Sequence, residues 1–359
     1  PFGRAPQVGE RWCFPAAAKT LRRIAETKGR DYYEGETALA LVEHAREHGG
    51  SLSLADLRDY KIDWVDTLSQ TWGDFQLHEI PPNGQGIAAL MALGILRHLE
   101  LEGMDPDSLD ARHLQIEAMK AAFEDVYRWV ADPRAMTTVG AMDLLDDHYL
   151  ASRARCIHRH RATAFQHGIG PGGGTIYLSA ADAQGRMISF IQSNYMGFGS
   201  GIVVPEVGVS LQNRGHGFSM QADHPNEVRP RFRPFQTIIP GFLMRGSQPQ
   251  MSFGVMGGNM QPQGHLQTLI RMIVFGQNPQ AACDAARWKV NRGLSVDVEA
   301  GMDRAIVQGL RARGHLLESI ADSYMDFGSG QFIWRMSDDL ADGYVAASDS
   351  RRDGHAACF

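Results

Sequence analysis

The sequence predicts an α+β fold, a sandwich of sheets covered by helices. Three observations predict it. Helix-period apolar patterns dominate the first half, the texture turns abruptly strand-rich at Thr175, and helices interrupt the later strands. Helices first and strands after is the order of an α+β chain rather than of alternating βα units. A composition of 43% hydrophobic and 21% charged residues over 359 positions gives ample apolar surface for a sizeable core.

The elements follow in order. Pro15 to Glu26 puts Leu21 and Ile24 on one helical face, with Pro15 suited to a first turn. Gly35 to His48 repeats the pattern through Ala40, Leu41, Val42 and Ala45, and Gly49-Gly50 supplies its stop. Ser53 and Asp56 make an N-cap-like start for another helix. Strands are expected at Trp64–Leu68 and Phe75–Ile80, separated by a turn at Gly73-Asp74. The turn Pro81 to Gly86 leads into the apolar helix Ile87–Leu99. A second long helix, Ala111–Ala131, keeps Leu114, Ala118, Ala121, Ala122, Val126 and Val130 on a core face and ends at Asp132-Pro133. Asp147–His160 reads as helix as well. The polar stretch Arg161–Gly174, closing on Gly172-Gly173-Gly174, cannot pack and is loop.

Thr175–Asp182 and Arg186–Gln192, joined by a turn at Gly185, then read as a β-hairpin. Further strands are expected at Gly201–Val204, Val209–Gln212, Thr237–Ile239, Gln250–Val255, Ser295–Val298 and Gln331–Arg335. Helices fall between them at Gly264–Phe275, Pro279–Arg287 and Asp303–Gly314.

Bulk properties exclude several classes. A net charge of −6 argues against a nucleic-acid surface. No stretch approaches the roughly 20 apolar residues of a membrane helix. Cys13, Cys156, Cys283 and Cys358 are scattered without paired spacing, so reduced, buried thiols are expected. The chain starts at Pro1 without an initiator Met and reads as a fragment or processed product.

The chemistry can be argued at Thr175. A Thr that opens a strand directly after glycines can attack its own preceding carbonyl in an N-to-O acyl shift. Hydrolysis of the resulting ester leaves Thr175 with a free α-amine of pKa about 8, able to act as base for its own hydroxyl. Nucleophile and base then belong to one residue. Glycines before the Thr tolerate the dihedrals a strained scissile bond needs. Antiparallel return of the hairpin would bring Ser193 back towards Thr175, with Asn194 and Tyr195 at the same glycine-rich bend; the bland alternative is a polar turn. Gly257-Gly258, between a strand and a helix, could offer paired N–H donors as an oxyanion hole. Phosphate binding is the rival use of that geometry, but neither GxxxxGK[ST] nor GxGxxG is present there.

Other features have plainer readings. His158 and His160 form a surface pair, His216 and His224 are expected as exposed loop residues with pocket lining as the alternative, and His265 is isolated without ligand spacing. Asp107, Asp110, Glu117 and Asp125 supply helix caps and a solvated face. Met251, Met256 and Met260 pack the strand-to-helix turn.

With these residues in view, the chain resembles the gamma-glutamyltranspeptidases. The Thr-led strand Thr175–Asp182 with Gly185, Phe198-Gly199-Ser200-Gly201, Gly208, Asn213, Arg233-Pro234, Gly257-Gly258, Asp349-Ser350-Arg351 and Asp353-Gly354 carry the likeness. Upstream, Gly49-Gly50, Asp56-Leu57, Tyr60 and Pro81–Gly86 are similar to the second half of the family's large subunit. The resemblance implies the four-layer αββα sandwich of the N-terminal nucleophile hydrolases. Residues 1–174 would be the large-subunit part and 175–359 the small subunit, together one structural domain. It implies self-cleavage between Gly174 and Thr175, which leaves a two-subunit heterodimer capable of further dimerisation. Thr175 is then the nucleophile, Ser193 the hydroxyl contacting it, and Gly257 and Gly258 the oxyanion pair; Asn194, Tyr195, Arg214, Gln236 and Thr237 line the substrate. The implied reaction is acyl transfer from a small γ-glutamyl or dicarboxylate amide, with no cofactor, metal or nucleic acid.

Three departures bear on specificity. Gly217 stands where glutathione-cleaving members carry an Asp for the substrate amine, Arg214 replaces a Gln, and Gln236-Thr237 replace a pair of serines. An Arg that precedes the matched region in the family has no counterpart. These changes favour a dicarboxylate-like, glutaryl-type acyl group lacking the amine; the alternative is an amine held by other residues. The competing reading is a non-catalytic or uncleaved relative that binds small acidic ligands.

Overall fold

The computed structural model describes residues 3–165 and 175–359. The expected scissile bond, with Gly174 and the glycine stretch before it, lies outside the described residues. The chain divides into two compact units, residues 1–64 with 198–213, and residues 65–197 with 214–359.

The smaller unit is helical. Its helices are Pro15–Thr27, Arg30–Glu34, Glu36–Glu47 and Leu54–Asp59, beside the short strand pair Val203–Val204 and Val209–Ser210. Leu41, Val204 and Val207 form its core, flanked by Tyr32, Leu52, Leu57 and Leu211. Ser53 and Asp56 form a full capping box, Asp56 N–H donating to Ser53 Oγ and Ser53 N–H to Asp56 Oδ2 (2.9 Å). The first helix differs from expectation. Leu21 is exposed, and the buried residue is Thr20, whose hydroxyl donates to Val207 O (2.7 Å). Ile24 is partly buried on that helix, so of the two expected apolar contacts only Leu21 is turned to solvent.

The larger unit is built on a six-stranded antiparallel sheet. Its strands, with those outside the main sheet, are β1 (Leu68–Trp72), β2 (Phe75–Glu79), β3 (Ile176–Ala181), β4 (Met187–Gln192), β5 (Gly241–Arg245), β6 (Gln248–Met256), β7 (Trp288–Val290), β8 (Ser295–Glu299), β9 (Leu316–Ile320), β10 (Ser329–Arg335) and β11 (Tyr344–Ser348). The sheet order is β1-β2-β5-β6-β10-β11; β9-β8-β7 form a second sheet and β3-β4 a hairpin.

Strand β6 shows how the layers stack. Successive side chains point to opposite faces. Phe253 meets His265 of helix Gln261–Ile273 on one face, while Ser252 bonds Ser179 and Tyr177 lies over Gly254 on the other. Helices therefore cover one face of the sheet and the hairpin covers the opposite face, which explains why Gln250 to Val255 are buried without alternation. Helix Gly86–Leu96 is buried along its whole length, as expected of a helix apolar all round. No helix among the described residues is long and apolar enough to cross a membrane.

Several expectations are corrected. The first strand is Leu68–Trp72, not Trp64–Leu68, because the tight turn at Gly73-Asp74 pairs Trp72 with Phe75 and fixes the register backwards from there. Thr237–Ile239 form no strand; Gln236 makes a single bridge to Gly84, and the strand begins at Gly241. Helix Asp147–Arg155 stops short of His160. Only Cys283 is a buried thiol, the other three cysteines being free and exposed. Glu117 and Asp125 are not on a solvated face: they are buried in ion pairs with Lys120 (2.5 Å) and Arg153 (2.9 Å).

Candidate active site

Hairpin register places the central pair. Ile176 lies opposite Gln192, so Thr175 and Ser193 face one another at the open end. Thr175 is buried, and its hydroxyl donates to Ser193 Oγ at 3.1 Å. Ser193 Oγ also accepts the N–H of Tyr195 at 2.8 Å, which holds it still. Tyr195 reaches this position with a left-handed φ of 80°.

A wall of polar groups continues from there. Arg214, in a short 3-10 turn, donates to Ser193 O (3.4 Å) and to the Thr237 hydroxyl (2.7 Å), with its guanidinium 5.0 Å from the Tyr195 ring centre. Burial pushes the Arg214 pKa down to about 10, so it remains a cation at neutral pH. Burial also raises the Tyr195 phenol, which stays protonated. Gln236 turns its side-chain oxygen back onto the N–H of Thr237 (3.0 Å), and Asn194 is half-buried beside Ser193.

Gly257 and Gly258 follow β6 with φ of 133° and 60°, values that L side chains rarely adopt. Gly257 O accepts Met260 N–H (3.1 Å), which closes the turn into helix Gln261–Ile273. One residue of the Pro81–Gly86 turn, not among the expected site residues, connects the Gly257-Gly258 turn to the wall. Gln85, fully buried, donates to both Thr237 O (2.6 Å) and Gly258 O (2.8 Å). Thr175, Ser193, Arg214, Thr237, Gln85 and Gly258 thus form one continuous hydrogen-bonded chain.

Gly217 is closed off. A Cβ there would lie 2.6 Å from Phe235 O, and Asn226 clamps the same spot by donating to Gly217 O (2.6 Å) and accepting from Phe235 N–H (3.1 Å). His216 is exposed, but His224 is half-buried and bonds Tyr127 O (3.1 Å), contrary to its expected place on a loop surface. His265 is fully buried. Its Nε2 accepts the Val255 N–H (3.1 Å), so Nδ1 carries the proton shared with Glu79 (2.7 Å).

Among the described residues, one group has metal-ligand chemistry: His113, Glu117 and His315, all buried. The ammonium of Lys120 already sits 2.5 Å from Glu117 Oε1, so a cation of the protein's own neutralises that carboxylate. His113 Nε2 faces His158 O (2.8 Å) and is therefore protonated, leaving Nδ1 to accept from His315 Nε2–H (2.9 Å). Burial lowers both histidines, His315 to about 3. Both fold neutral, whereas unfolded histidines protonate below about pH 6.5. The stability this confers is full above that value and is lost as pH falls towards the folded pKa, at up to about 1.4 kcal/mol per pH unit for each histidine. The melting temperature is expected to fall as pH drops below 6.5, and His315→Gln, which keeps a donor but does not titrate, should flatten that fall. An unchanged slope in calorimetry would contradict this.

The comparisons with known proteins bear directly on this geometry. A family model described as gamma-glutamyltranspeptidase matches residues 1–359. The chain belongs to the gamma-glutamyltranspeptidase family. It is 33% identical over 326 residues to the glutathione hydrolase-like YwrD proenzyme of Bacillus subtilis, covering 89% of this chain and 61% of that protein. It is likewise 33% identical over 362 residues to the oxamate amidohydrolase proenzyme of Klebsiella pneumoniae, covering 99% of this chain and 67% of that one. The crystal structure of a cephalosporin acylase from Bacillus halodurans matches with a TM-score of 0.92 and 45% identity over 99% of this chain and 65% of the acylase. The chain thus spans about 61% to 67% of the length of these family relatives. The fold is the αββα sandwich of the N-terminal nucleophile hydrolases.

Proposed function

We propose that the protein is a self-processing amidohydrolase that cleaves γ-glutamyl or glutaryl-like amides through an acyl-enzyme on Thr175. The observation that carries this reading is the buried 3.1 Å hydrogen bond from Thr175 Oγ1 to Ser193 Oγ at the head of β3. In the processing step, Thr175 Oγ1 attacks the carbonyl carbon of residue 174, the C–N bond breaks, and the α-amine is freed on an ester. Water then hydrolyses the ester. In turnover, that amine takes the hydroxyl proton while Oγ1 attacks the substrate amide. The N–H groups of Gly257 and Gly258 are suited to the oxyanion, and the proton passes to the departing amine. Water, or an acceptor amine, takes the acyl group from Thr175.

The wall supports an acyl group with a distal carboxylate and no α-ammonium. Arg214 supplies a buried positive charge, and Gly217 has no room for an acidic side chain without moving the Phe235 backbone. Glutaryl p-nitroanilide is therefore expected to be hydrolysed with at least about tenfold higher kcat/KM than the γ-glutamyl p-nitroanilide, roughly 1.4 kcal/mol of discrimination. A preference for the γ-glutamyl compound would overturn this choice of acyl group while leaving Thr175 as nucleophile.

A further inference from the structure

We infer that Gln85 is a positioning residue of the reaction, a side chain that ties the acyl-binding wall to the oxyanion turn; this rests on the function proposed above. Gln85 comes from the turn between β2 and helix Gly86–Leu96 and is fully buried. Its one amide nitrogen makes two bonds, to carbonyls 152 and 173 residues away in sequence, Thr237 O and Gly258 O. Only a group with two N–H donors and no competing charge can do this in so short a reach. A glutamate would face both carbonyls with acceptors, and a hydrophobe would take this donor from Thr237 O and leave Gly258 O with only the Gln261 N–H.

The backbone reinforces the tie. Gln85 N–H donates to Gln236 O (2.9 Å), and Gln236 N–H donates to Asn83 O (2.9 Å), so the 83–85 segment grips the wall from main chain as well as side chain. Gly258 is then held from both sides, with Met260 N–H on the preceding carbonyl and Gln85 on its own. The hydroxyl of Thr237 is meanwhile engaged by Arg214. Gln85 Oε1 is buried and has no hydrogen-bond partner among the described residues. A buried acceptor left unmet costs about 1–3 kcal/mol. The structure tolerates that cost where the nitrogen end fixes two segments whose relative placement sets the distance from acyl carboxylate to oxyanion.

The test uses Gln85→Met, which keeps volume and removes both donors, and Gln85→Glu, which reverses them. Two readouts are taken on the full chain. Amide hydrogen exchange is followed by mass spectrometry over peptides spanning residues 236–239 and 257–260, and kcat and KM are measured with glutaryl p-nitroanilide. In Gln85→Met, exchange is expected to rise at least about tenfold in both peptides and not elsewhere, with kcat reduced about 10–100-fold and KM changed less than about threefold. Gln85→Glu should be worse in each respect. Wild-type exchange in either peptide, or wild-type kcat in Gln85→Met, overturns the assignment, and so does loosening spread over the whole protein, since that marks a merely structural role. If turnover itself proves independent of Thr175, the proposed function fails, and the exchange comparison still decides whether Gln85 joins the two segments.

Discussion

Thr175→Ala is expected to abolish both self-cleavage and amide turnover, a loss of at least about 10³-fold in kcat. One residue supplies both reacting groups. Removing Oγ1 removes the attacking atom in processing and in catalysis, and Ser193 cannot substitute for it. The Ser193 hydroxyl sits on an interior residue of the chain, with no α-amine of its own to accept a proton. Thr175→Ser keeps the hydroxyl and, once processed, the amine, and should retain activity within about 100-fold. Folding should survive in both, because Thr175 contributes one hydrogen bond at the end of a hairpin held elsewhere by six paired residues on each strand. Anilide release and denaturing gels, run on the three proteins together, check this. Turnover by Thr175→Ala at a rate near wild type would remove Thr175 from the mechanism.

Asp349→Ala is expected to have the largest effect on stability, about 3–5 kcal/mol, without touching the reacting groups. Asp349 is buried at the end of β11 and accepts from Arg287 Nη2 (2.7 Å), Arg351 Nη1 (3.1 Å) and Gly330 N–H (2.9 Å). Burial alone would raise its pKa, but the two guanidinium groups overcome that and hold it below the usual carboxylate range. Arg351 keeps a second partner in Glu299. Arg287 does not: its side chain is 2% exposed, and it would be left charged in the interior with only carbonyl acceptors such as Phe327 O (2.8 Å). A fall in melting temperature on the order of 10 °C follows. Asp349→Asn, which keeps the shape but loses the charge, should fall between the two. A wild-type melting temperature for Asp349→Ala would mean that the pair is compensated in a way the geometry does not contain.

The parts of the site that were legible in the sequence are those where chemistry and local geometry coincide. A hairpin after glycines fixes which residue returns opposite which, so Thr175 and Ser193 could be paired from the register alone. The doubled glycine at 257–258 was legible because a strand end that must turn at once into a helix needs backbone that L residues avoid. The links between segments were not legible. Gln85 lies in the Pro81–Gly86 turn, where the family resemblance assigns it no role, and its role depends on two carbonyls distant in sequence. Glu117 and Asp125 looked solvated because helical periodicity describes one helix, whereas Asp125 finds its partner on another helix, at Arg153. His265 gave no signal because its partner, Glu79, lies 186 residues away.

The fold divides in the same way. The long apolar helices and the hairpin were expected where they occur. Strand β1 was displaced because alternation was weaker evidence than the turn that sets its register. Strands β5, β7, β9 and β11 were missed. Of these, β9 and β11 are edge strands with mixed burial, and β7 is three residues long, so none of the three carries a two-residue period of any length. Tertiary pairing, not local preference, makes them strands.

The central claim is that Thr175 becomes an N-terminus. The most direct measurement is intact-mass spectrometry of the purified chain after incubation. The account predicts two fragments whose masses sum to the whole plus one water, the second beginning at Thr175. An uncut chain that still hydrolyses the anilide, or a break at any other bond, would contradict it.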